Sequence, residues 1–388
     1  MAEPARDPQR LAMQALGRDD AAVDGVRRLF HEVFGHEVSA EHWRWKYGPA
    51  AGAQTLNWVA VGVEGPARPW GHVGARVMPG WWCGRPARLA HLTDVMVHPS
   101  LRGDLQRDTV YARLMRAMAL ALLEPGGPPL LAWGFPGLTP ARLGARMGLY
   151  RPLQRVIRHH VHAAPSEGQS HASGLYALQA LAAGALGFKV KPQGWDTPWL
   201  NRIWQRHADA LCGPSRRPVL PSPPGPGSLS VQKDAAYCLW RYRDHPNRPY
   251  QLWNIQGPWR RAIGWLITRA EPEPSVVDAL LPMELRTGMA WSRILIALAS
   301  ASGQPQWATW HEPDRSLTPF QSETNLIVPV EFRAAELAGA GPSIWTQVST
   351  VEAPALDHGQ ATARPRSSSA VPRPLQPPWF YPGDTDVF

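Results

Sequence analysis

The chain has 388 residues, a formal net charge of +9 and 44% hydrophobic residues. This length exceeds one ordinary hydrophobic core, so we expect two domains. No apolar run approaches the ~20 residues of a membrane-spanning helix, and residues 1–20 carry acidic side chains in place of an apolar signal core. The three cysteines show no pairing or metal-binding pattern. We therefore expect a cytoplasmic protein without a membrane span.

Nearly all of the positive charge is arginine. Lysine occurs only at Lys46, Lys189, Lys191 and Lys233. A coding bias that also enriches Ala and Pro explains most of the arginines. The positive charge nevertheless favours an anionic ligand. The arginine clusters at 155–158 and 213–217 lack the interleaved aromatic residues of a single-strand-binding groove, so nucleic acid is not an expected partner.

The first half begins with two predicted helices. Apolar residues recur at helical spacing over 20–34, and Gly35 ends this helix. Ser39 is expected to cap a second, short helix. Three strands follow, over 56–65, 69–80 and 87–99.

The rest of the first half alternates helices and strands. A helix with an apolar face from Val110 to Leu122 ends at the Pro- and Gly-rich segment 125–129, and a buried strand follows over 130–135. A helix over 139–150, capped by Thr139, and a strand over 155–162 are expected next. The parallel strand–helix–strand step at the centre predicts an α/β sheet.

The second half repeats features of the first. Trp240-Arg241-Tyr242 follows Trp45-Lys46-Tyr47 after 195 residues, each triplet after a helix-forming segment, and strands are expected over 261–269 and 275–282. Duplication therefore predicts an N-terminal domain over 1–163, a linker over 164–174 and a diverged C-terminal domain over 175–388. The C-terminal domain includes Pro-rich insertions at 213–228 and 363–378, and the aromatic segment 379–388 is expected to form a terminal strand packed on it.

Several motifs together resemble a GNAT-superfamily acyltransferase domain. They are the strand and turn VMVHPSLRG, the helix after it, and the buried strand followed by GARMGLY. Phe34-Gly35-His36-Glu37 with Trp43, Trp45 and Tyr47 resembles the opening of a bacterial subgroup, and the terminal GDTDVF resembles the ending of its two-domain members. The resemblance covers about residues 20–163. It implies two GNAT-like α/β domains in tandem, each a mixed sheet with flanking helices.

The resemblance also implies a cofactor, acetyl-CoA or another acyl-CoA. Its site would be a notch between splayed parallel strands, here 92–98 and 130–135. The implied cofactor-binding residues are Val95, Met96 and Val97 on the strand, then Arg102, Gly103, Asp104, Leu105, Gln106 and Arg107 in the turn, which presents N–H groups at a helix N-terminus to the pyrophosphate. Leu105 and Arg107 stand where the family has small residues that let a phosphate approach the backbone. Arg102 and Arg107 can instead bind phosphate through their guanidinium groups.

Acyl transfer needs a base for the acceptor and an acid for the leaving thiolate. The positions of the family's Asn and Tyr are Gly137 and Gly144 here. Asp94 and His98, on one face of the notch strand, are the candidate base or proton relay, and Tyr150 is the candidate acid. The alternatives are structural: Asp94 bonds a neighbouring loop, and His98 caps the turn after it.

Acceptor-binding candidates lie nearer the ends of the elements. Glu37 and His42 are expected to line an acceptor cleft, with a solvated helix end as the alternative. Trp81 is expected at a turn where burial is harder, where it could stack on a sugar or base. His-Glu pairs at 31–32 and 36–37 lack the HExxH spacing, so no metal site is expected.

The leading functional hypothesis is an acetyl-CoA-dependent N-acetyltransferase that transfers directly to an amine or hydroxyl of a small molecule, sugar or peptide. An aminoacyl-tRNA-dependent peptidyl transferase-like enzyme is one alternative, because tRNA suits the positive charge. A non-catalytic binding or scaffold protein is the other, favoured by Leu105, Arg107, Gly137 and Gly144. The acceptor, the active half and the oligomeric state stay open.

Overall fold

The structure is a computed structural model. It describes residues 10–49, 53–62, 65–82, 85–102, 109–123, 127–152, 157–163, 187–212, 229–271, 274–282, 285, 288–304, 306–311, 321–327 and 330–337. Five predicted segments lie outside these ranges: the phosphate-binding turn 103–107, the linker 164–174, the Pro-rich insertions 213–228 and 363–378, and the terminal strand 379–388.

The described strands form two mixed sheets. The first contains β1 (Leu11–Ala15), β2 (Gln54–Gly62), β3 (Gly65–Trp82), β4 (Arg85–Val97), β5 (Leu130–Gly134), β6 (Tyr150–Pro152), β9 (Leu229–Val231) and β15 (Val330–Phe332). The second contains β7 (Ile157–Ala163), β8 (Lys189–Gln193), β10 (Gln251–Gln256), β11 (Ala262–Arg269), β12 (Ser275–Leu280), β13 (Gln306–His311) and β14 (Gln321–Ile327).

Helices flank both sheets. They are α1 (Asp20–Phe34), α2 (Ala40–Tyr47), α3 (Val110–Leu122), α4 (Leu138–Arg146), α5 (Thr197–Cys212), α6 (Ala235–Cys238), α7 (Gly288–Ser302) and α8 (Ala334–Leu337). The two-domain α/β fold expected from the sequence is confirmed. None of the helices in the described ranges combines the length and apolar character needed to cross a membrane.

The helix ends follow local chemistry, with one exception. Gly35 ends α1 in the left-handed conformation (φ 78°), and the Ser39 hydroxyl accepts from the N–H of His42 at the start of α2. The predicted Thr139 cap of α4 is wrong. The helix begins one residue earlier, after Gly137, and Thr139 lies inside its first turn. Pro140 fits there because the first turn of a helix needs no N–H donor.

The two sheets exchange strands. The strand predicted to close the first half, β7, lies in the second sheet between β14 and β13. In return β15 enters the first sheet between β5 and β6, where Glu331 lies opposite Trp133 and Arg151. The domain boundary at residue 163 stays a prediction. Each sheet nevertheless contains a strand from the other side of this boundary.

A shared apolar core joins the halves. On one face of the first sheet, Leu131 and Trp133 of β5 pack in the same cluster as Leu252 and Trp265 of the second sheet. The opposite face of the first sheet is covered by α3, whose Leu114 is fully buried. Elements of both halves therefore depend on each other for burial.

The repeated tryptophans meet at the contact between the halves. The Trp45 and Trp240 rings stack with centroids 5.5 Å apart. Each indole N–H donates to the other residue's carbonyl oxygen, at 2.7 Å from Trp45 and 3.0 Å from Trp240. The echo in the sequence thus marks equivalent positions on the two halves.

Strand exchange predicts that neither half folds alone. A chain cut between residues 163 and 187 is expected to stay together as a one-to-one complex, because β7 and β15 each lie in the other half's sheet. Each piece expressed separately is expected to lack a cooperative unfolding transition, measured by circular dichroism against the intact chain. Cooperative unfolding of isolated residues 1–163 would contradict the exchange.

Candidate active site

β4 and β5, the strands of the predicted notch, pair only over the first part of β4. The strands pair in parallel from Arg88 opposite Leu130 to His91 opposite Trp133, and no further pairing between them occurs in the described ranges. They are still close at Gly134, where a Cβ would lie 3.3 Å from the Leu92 carbonyl oxygen. Beyond that point β4 continues, and none of the described strands pairs with it on the β5 side.

A bulge shapes β4 just where it leaves β5. Two residues of β4 stand against one of β3 between the pairs Gly74–Thr93 and His72–Met96. Asp94, at the bulge, has φ 49°, a conformation that non-glycine residues rarely adopt. After the bulge, Val95 and Val97 are only partly buried beside the α3-side cluster, while Met96 is buried against α1.

The candidate base Asp94 is buried in a bonded network. Its Oδ1 lies 3.0 Å from Lys46 Nζ, and its Oδ2 accepts a 2.5 Å hydrogen bond from the Tyr47 hydroxyl. Only 2% of the Asp94 side chain is exposed. The tip of α2 thus neutralises the carboxylate, so the structural partner is a helix end and not the neighbouring loop of the structural alternative. Its role as a base stays a prediction.

The second half repeats this network. Asp278 also lies at a bulge, in β12, and its Oδ1 lies 2.6 Å from Lys233 Nζ. The Tyr242 hydroxyl donates to its Oδ2 at 2.6 Å. Burial raises the pKa of Tyr242 well above its usual value, and the Asp278 charge adds to the rise. Sequence reasoning missed both ion pairs, although two of the four lysines of this arginine-rich chain form them.

His72 lies behind the bulge with no exposed surface. Its Nδ1 lies 2.9 Å from the Asp94 carbonyl oxygen and its Nε2 lies 3.0 Å from Oδ1 of Asn57. Burial lowers its pKa from 6.5 to about 4, although the Asp94 charge opposes the change. The imidazole is therefore neutral near pH 7.

His98 lies at the open end of the notch strand, with 16% of its side chain exposed. Its Nε2 is 3.5 Å from Oε2 of Glu32 and 3.2 Å from Nη2 of Arg68, and its Nδ1 is 2.7 Å from the Ser100 hydroxyl. The side chain also accepts from the Ser100 N–H, which caps the turn Pro99–Leu101. It therefore has the predicted capping contact together with a carboxylate partner.

The candidate acid Tyr150 is buried beneath α4. A Cβ on Gly144 would overlap the Tyr150 ring, so no side chain fits at the position where the family has tyrosine. Burial raises the pKa of Tyr150 to about 12, and the neighbouring Tyr111 hydroxyl partly offsets the rise. The buried Tyr111 hydroxyl, in the first turn of α3, meets no partner in hydrogen-bonding geometry among the described residues.

The three acceptor-binding candidates are not brought together. Glu37 is exposed between α1 and α2. His42 contacts the second half, with its Nδ1 3.0 Å from Asn247 Nδ2 and its ring 5.5 Å from that of His245. Trp81 lies in β3 opposite Ser230 of β9, not at the expected turn, and is partly buried against the core that the halves share.

A row of polar and aromatic side chains crosses the first sheet on the face towards the second half. Its members, in register from β3 to β6, are Arg76, His91, Trp133, Glu331 and Arg151. Arg76 lies 3.6 Å from the Trp240 ring centroid, and His91 stacks on Trp133 at 5.4 Å. Arg151 Nε and Nη2 lie 2.9 and 2.6 Å from the same oxygen of the fully buried Glu331. Sequence analysis could not find this row because β15 lies far along the chain.

Of the implied cofactor-binding residues, the strand and Arg102 are described. Arg102 Nε donates to the Val97 carbonyl at 2.9 Å, which folds the side chain back on the strand end. Gly103, Asp104, Leu105, Gln106 and Arg107 lie outside the described residues. Within the described ranges, no three His, Cys, Asp or Glu side chains lie together as a metal site.

Known structures share this architecture. A probable N-acyltransferase of Enterococcus faecalis superposes with TM-score 0.55 at 14% identity, over 84% of this chain and 74% of that one. A GCN5-related N-acetyltransferase from Kribbella flavida gives 0.54 at 14%, over 85% and 74%. The chain has the GNAT fold, twice in tandem. A GCN5-related N-acetyltransferase from Anabaena variabilis gives 0.51 at 12%, over 82% and 72%. No protein-family profile and no curated protein sequence matches the chain.

The duplicated ion pairs predict matched effects on stability. Asp94→Asn and Asp278→Asn should each lower the free energy of unfolding by about 3–5 kcal/mol, because each leaves a buried lysine without its carboxylate. Adding Lys46→Met to Asp94→Asn should recover part of the loss. Urea denaturation measures both effects. A loss below about 1 kcal/mol for either single variant, typical of an exposed pair, would contradict the structural role.

Buried His72 predicts a pH-dependent stability. Its folded pKa of about 4 lies below 6.5, so its contribution is present above pH 6.5 and is lost as the pH falls towards 4. The shift sets an upper limit of roughly 3 kcal/mol. The wild-type protein should lose this stability relative to His72→Gln between about pH 7 and pH 4, measured by denaturation at several pH values. Parallel curves for the two proteins would contradict a buried neutral imidazole.

Proposed function

We propose that the protein is an acyl-CoA-dependent acyltransferase whose donor site is the notch of the first half. The expected donor is acetyl-CoA, and the expected reaction is direct transfer to an amine or hydroxyl of a small molecule, sugar or peptide. The GNAT fold supports acyltransferase chemistry in general. The acceptor and a cytoplasmic location are predictions from the sequence alone.

The difference between the two notches carries the proposal. In the first half, β4 runs on beyond its pairing with β5, and Val95, Val97 and His98 remain partly exposed. In the second half every residue of β12 is buried, and Trp291 and Trp307 pack in the same cluster. An extended pantetheine arm needs both an unpaired strand edge and an open wall. The notch of the first half fits an acyl-CoA on these grounds, whereas the buried strand β12 of the second half does not.

The donor would supply an activated thioester. The chain's own contribution begins with the backbone of Val95, Met96 and Val97, whose unpaired edge can hydrogen-bond an extended amide ligand. Arg102 lies at the end of this strand and is placed to turn towards a phosphate. Gly103, Asp104, Leu105, Gln106 and Arg107 precede α3 in the chain and remain proposed phosphate contacts.

The structure favours His98 over Asp94 as the base. Asp94 already binds an ammonium and a phenol and has almost no exposed surface. His98 is partly exposed, and Glu32 is near enough to orient its ring. Asp94 is then a positioning residue that holds the bulge.

Tyr150 remains the proposed acid. Its raised pKa keeps the phenol protonated near pH 7, and it adjoins Tyr111 at the start of the helix that follows the notch strand. Glu37, His42 and Trp81 remain proposed acceptor contacts. Glu37 is the best supported of the three, because it is exposed. His42 contacts the second half, and Trp81 packs on the core that the halves share.

A non-catalytic binding protein is the second candidate. The specific observation in its favour is the Tyr150 ring beside Gly144, which leaves no room for the family's acid at that position. Binding of acetyl-CoA without release of free thiol in the presence of amine acceptors would favour this candidate.

The open notch predicts cofactor-dependent stabilisation. Acetyl-CoA at 100 times its dissociation constant should stabilise the protein by about 2.7 kcal/mol, measured as a thermal shift. Val97→Trp should abolish the shift by filling the notch wall. Leu120→Trp, on an α3 position that is 63% exposed, is the control and should keep it.

Two results would reject the donor site. One is the absence of any shift with acetyl-CoA or a longer acyl-CoA, and the other is a shift that Val97→Trp leaves unchanged. His98→Gln separates binding from chemistry: we expect a normal shift and thiol release lowered by about 10²-fold or more.

A further inference from the structure

The hairpin between β10 and β11 ends in an unusually exposed tryptophan. Trp259 is 97% exposed, against 38–63% for the other exposed large hydrophobic residues of the described ranges. The turn is closed by a 3.0 Å hydrogen bond from the Gly257 N–H to the Arg261 carbonyl oxygen. An indole that packs against nothing contributes no burial to stability, so its presence at the tip needs another explanation.

The backbone of this turn is strained. Trp259 and Arg260 have φ values of 66° and 56°, and the third non-glycine residue with positive φ in the described ranges is Asp94 at the β4 bulge. Glycine adopts this conformation without a steric penalty, and tight hairpin turns usually carry Asn-Gly here. Strain kept at two adjacent positions indicates that the side chains, not the turn, are what the hairpin provides.

Four exposed arginines lie on this hairpin and on the helix beside it. Arg260 and Arg261 belong to the turn, and Arg202 and Arg206 lie one helical turn apart on α5. Arg206 Nη1 donates to the Ala262 carbonyl at 2.8 Å, which places α5 beside the hairpin. In the described part of the chain no carboxylate pairs with these four side chains. Partial burial and the charges of Arg261 and Arg202 lower the pKa of Arg206, as expected of crowded, uncompensated cations.

We propose that Trp259 with Arg202, Arg206, Arg260 and Arg261, here termed the Trp259 surface, docks a single-stranded nucleic acid. A base would stack on the indole, and backbone phosphates would accept hydrogen bonds from the guanidinium groups. The Trp259 surface combines an aromatic ring with cations, whereas the arginine clusters at 155–158 and 213–217 have no interleaved aromatic residue. The surface belongs to the second half, and the proposal does not depend on the donor site of the first.

The composition of the surface favours nucleic acid over a membrane. A membrane-inserting hairpin gains from burying several apolar side chains, whereas this surface has one indole and four guanidinium groups. The other exposed large apolar residues, Phe34, Leu120 and Leu143, lie on helices of the first half. An acidic protein would match the charge but gives the indole no planar partner.

Anisotropy with a labelled oligothymidylate of about twelve nucleotides tests the proposal on the full chain. With four phosphate contacts, the plot of log affinity against log salt should have a slope of about −3, and Arg202→Gln with Arg206→Gln should reduce it by about 1.4. The control is Arg142→Gln with Arg146→Gln, an exposed pair at the same spacing on α4, which should change neither quantity.

Trp259→Gly separates binding from folding. Because glycine relieves the left-handed backbone, the variant should be at least as stable as the wild type, yet bind about 5- to 100-fold more weakly. An abasic oligonucleotide of the same length should bind the wild type as weakly as the oligothymidylate binds this variant. Equal binding of the variant and wild type, or of abasic and normal strands, would overturn the proposal. Trp259-dependent binding to phosphatidylserine vesicles without binding to oligonucleotides would overturn it in favour of a membrane.

Discussion

The structure depends on neutralising one buried carboxylate at a bulge in each half. Asp94 cannot stay charged in an apolar interior unless Lys46 and Tyr47 reach it, and both lie at the end of α2. This requirement holds α2 against β4. Trp45, which immediately precedes Lys46 and Tyr47, then faces the second half. The same requirement around Asp278 holds Tyr242 and therefore Trp240. The reciprocal indole bonds between the halves follow from two local electrostatic constraints.

Duplication has produced two similar frameworks with unequal notches. Exchange of β7 and β15 ties the halves into one folding unit, so neither can diverge without effect on the other. In the second half every residue of β12 is buried, and Trp291 and Trp307 pack in the same apolar cluster. In the first half Val95 and Val97 of β4 are only partly buried. The partly exposed strand edge therefore belongs to the first half.

The features that sequence reasoning found are those set by local chemistry. The caps at Ser39 and Gly35, the apolar face of α3 and the two notch strands all arise from neighbouring residues. The echo of Trp45 at Trp240 predicted a repeated framework, but it did not predict that the two indoles stack on each other between the halves. The partners of Asp94 and of Trp133 could not be read in this way, since Lys46 and Glu331 reach them across long stretches of chain. The Thr139 cap failed because Gly137 offered an earlier start.

Tyr150 is the proposed acid, and its burial limits how readily it can transfer a proton. A phenol with a pKa of about 12 is protonated near pH 7, as an acid must be. Full proton transfer to a thiolate whose conjugate acid has a pKa near 8.5 is uphill by about 5 kcal/mol. Such a phenol stabilises a leaving thiolate by donating a hydrogen bond, and the thiolate then leaves unprotonated or takes its proton from water. The loss of the acid at Gly144 is therefore compatible with turnover, because a thiolate leaves far more readily than an alkoxide or an amide anion.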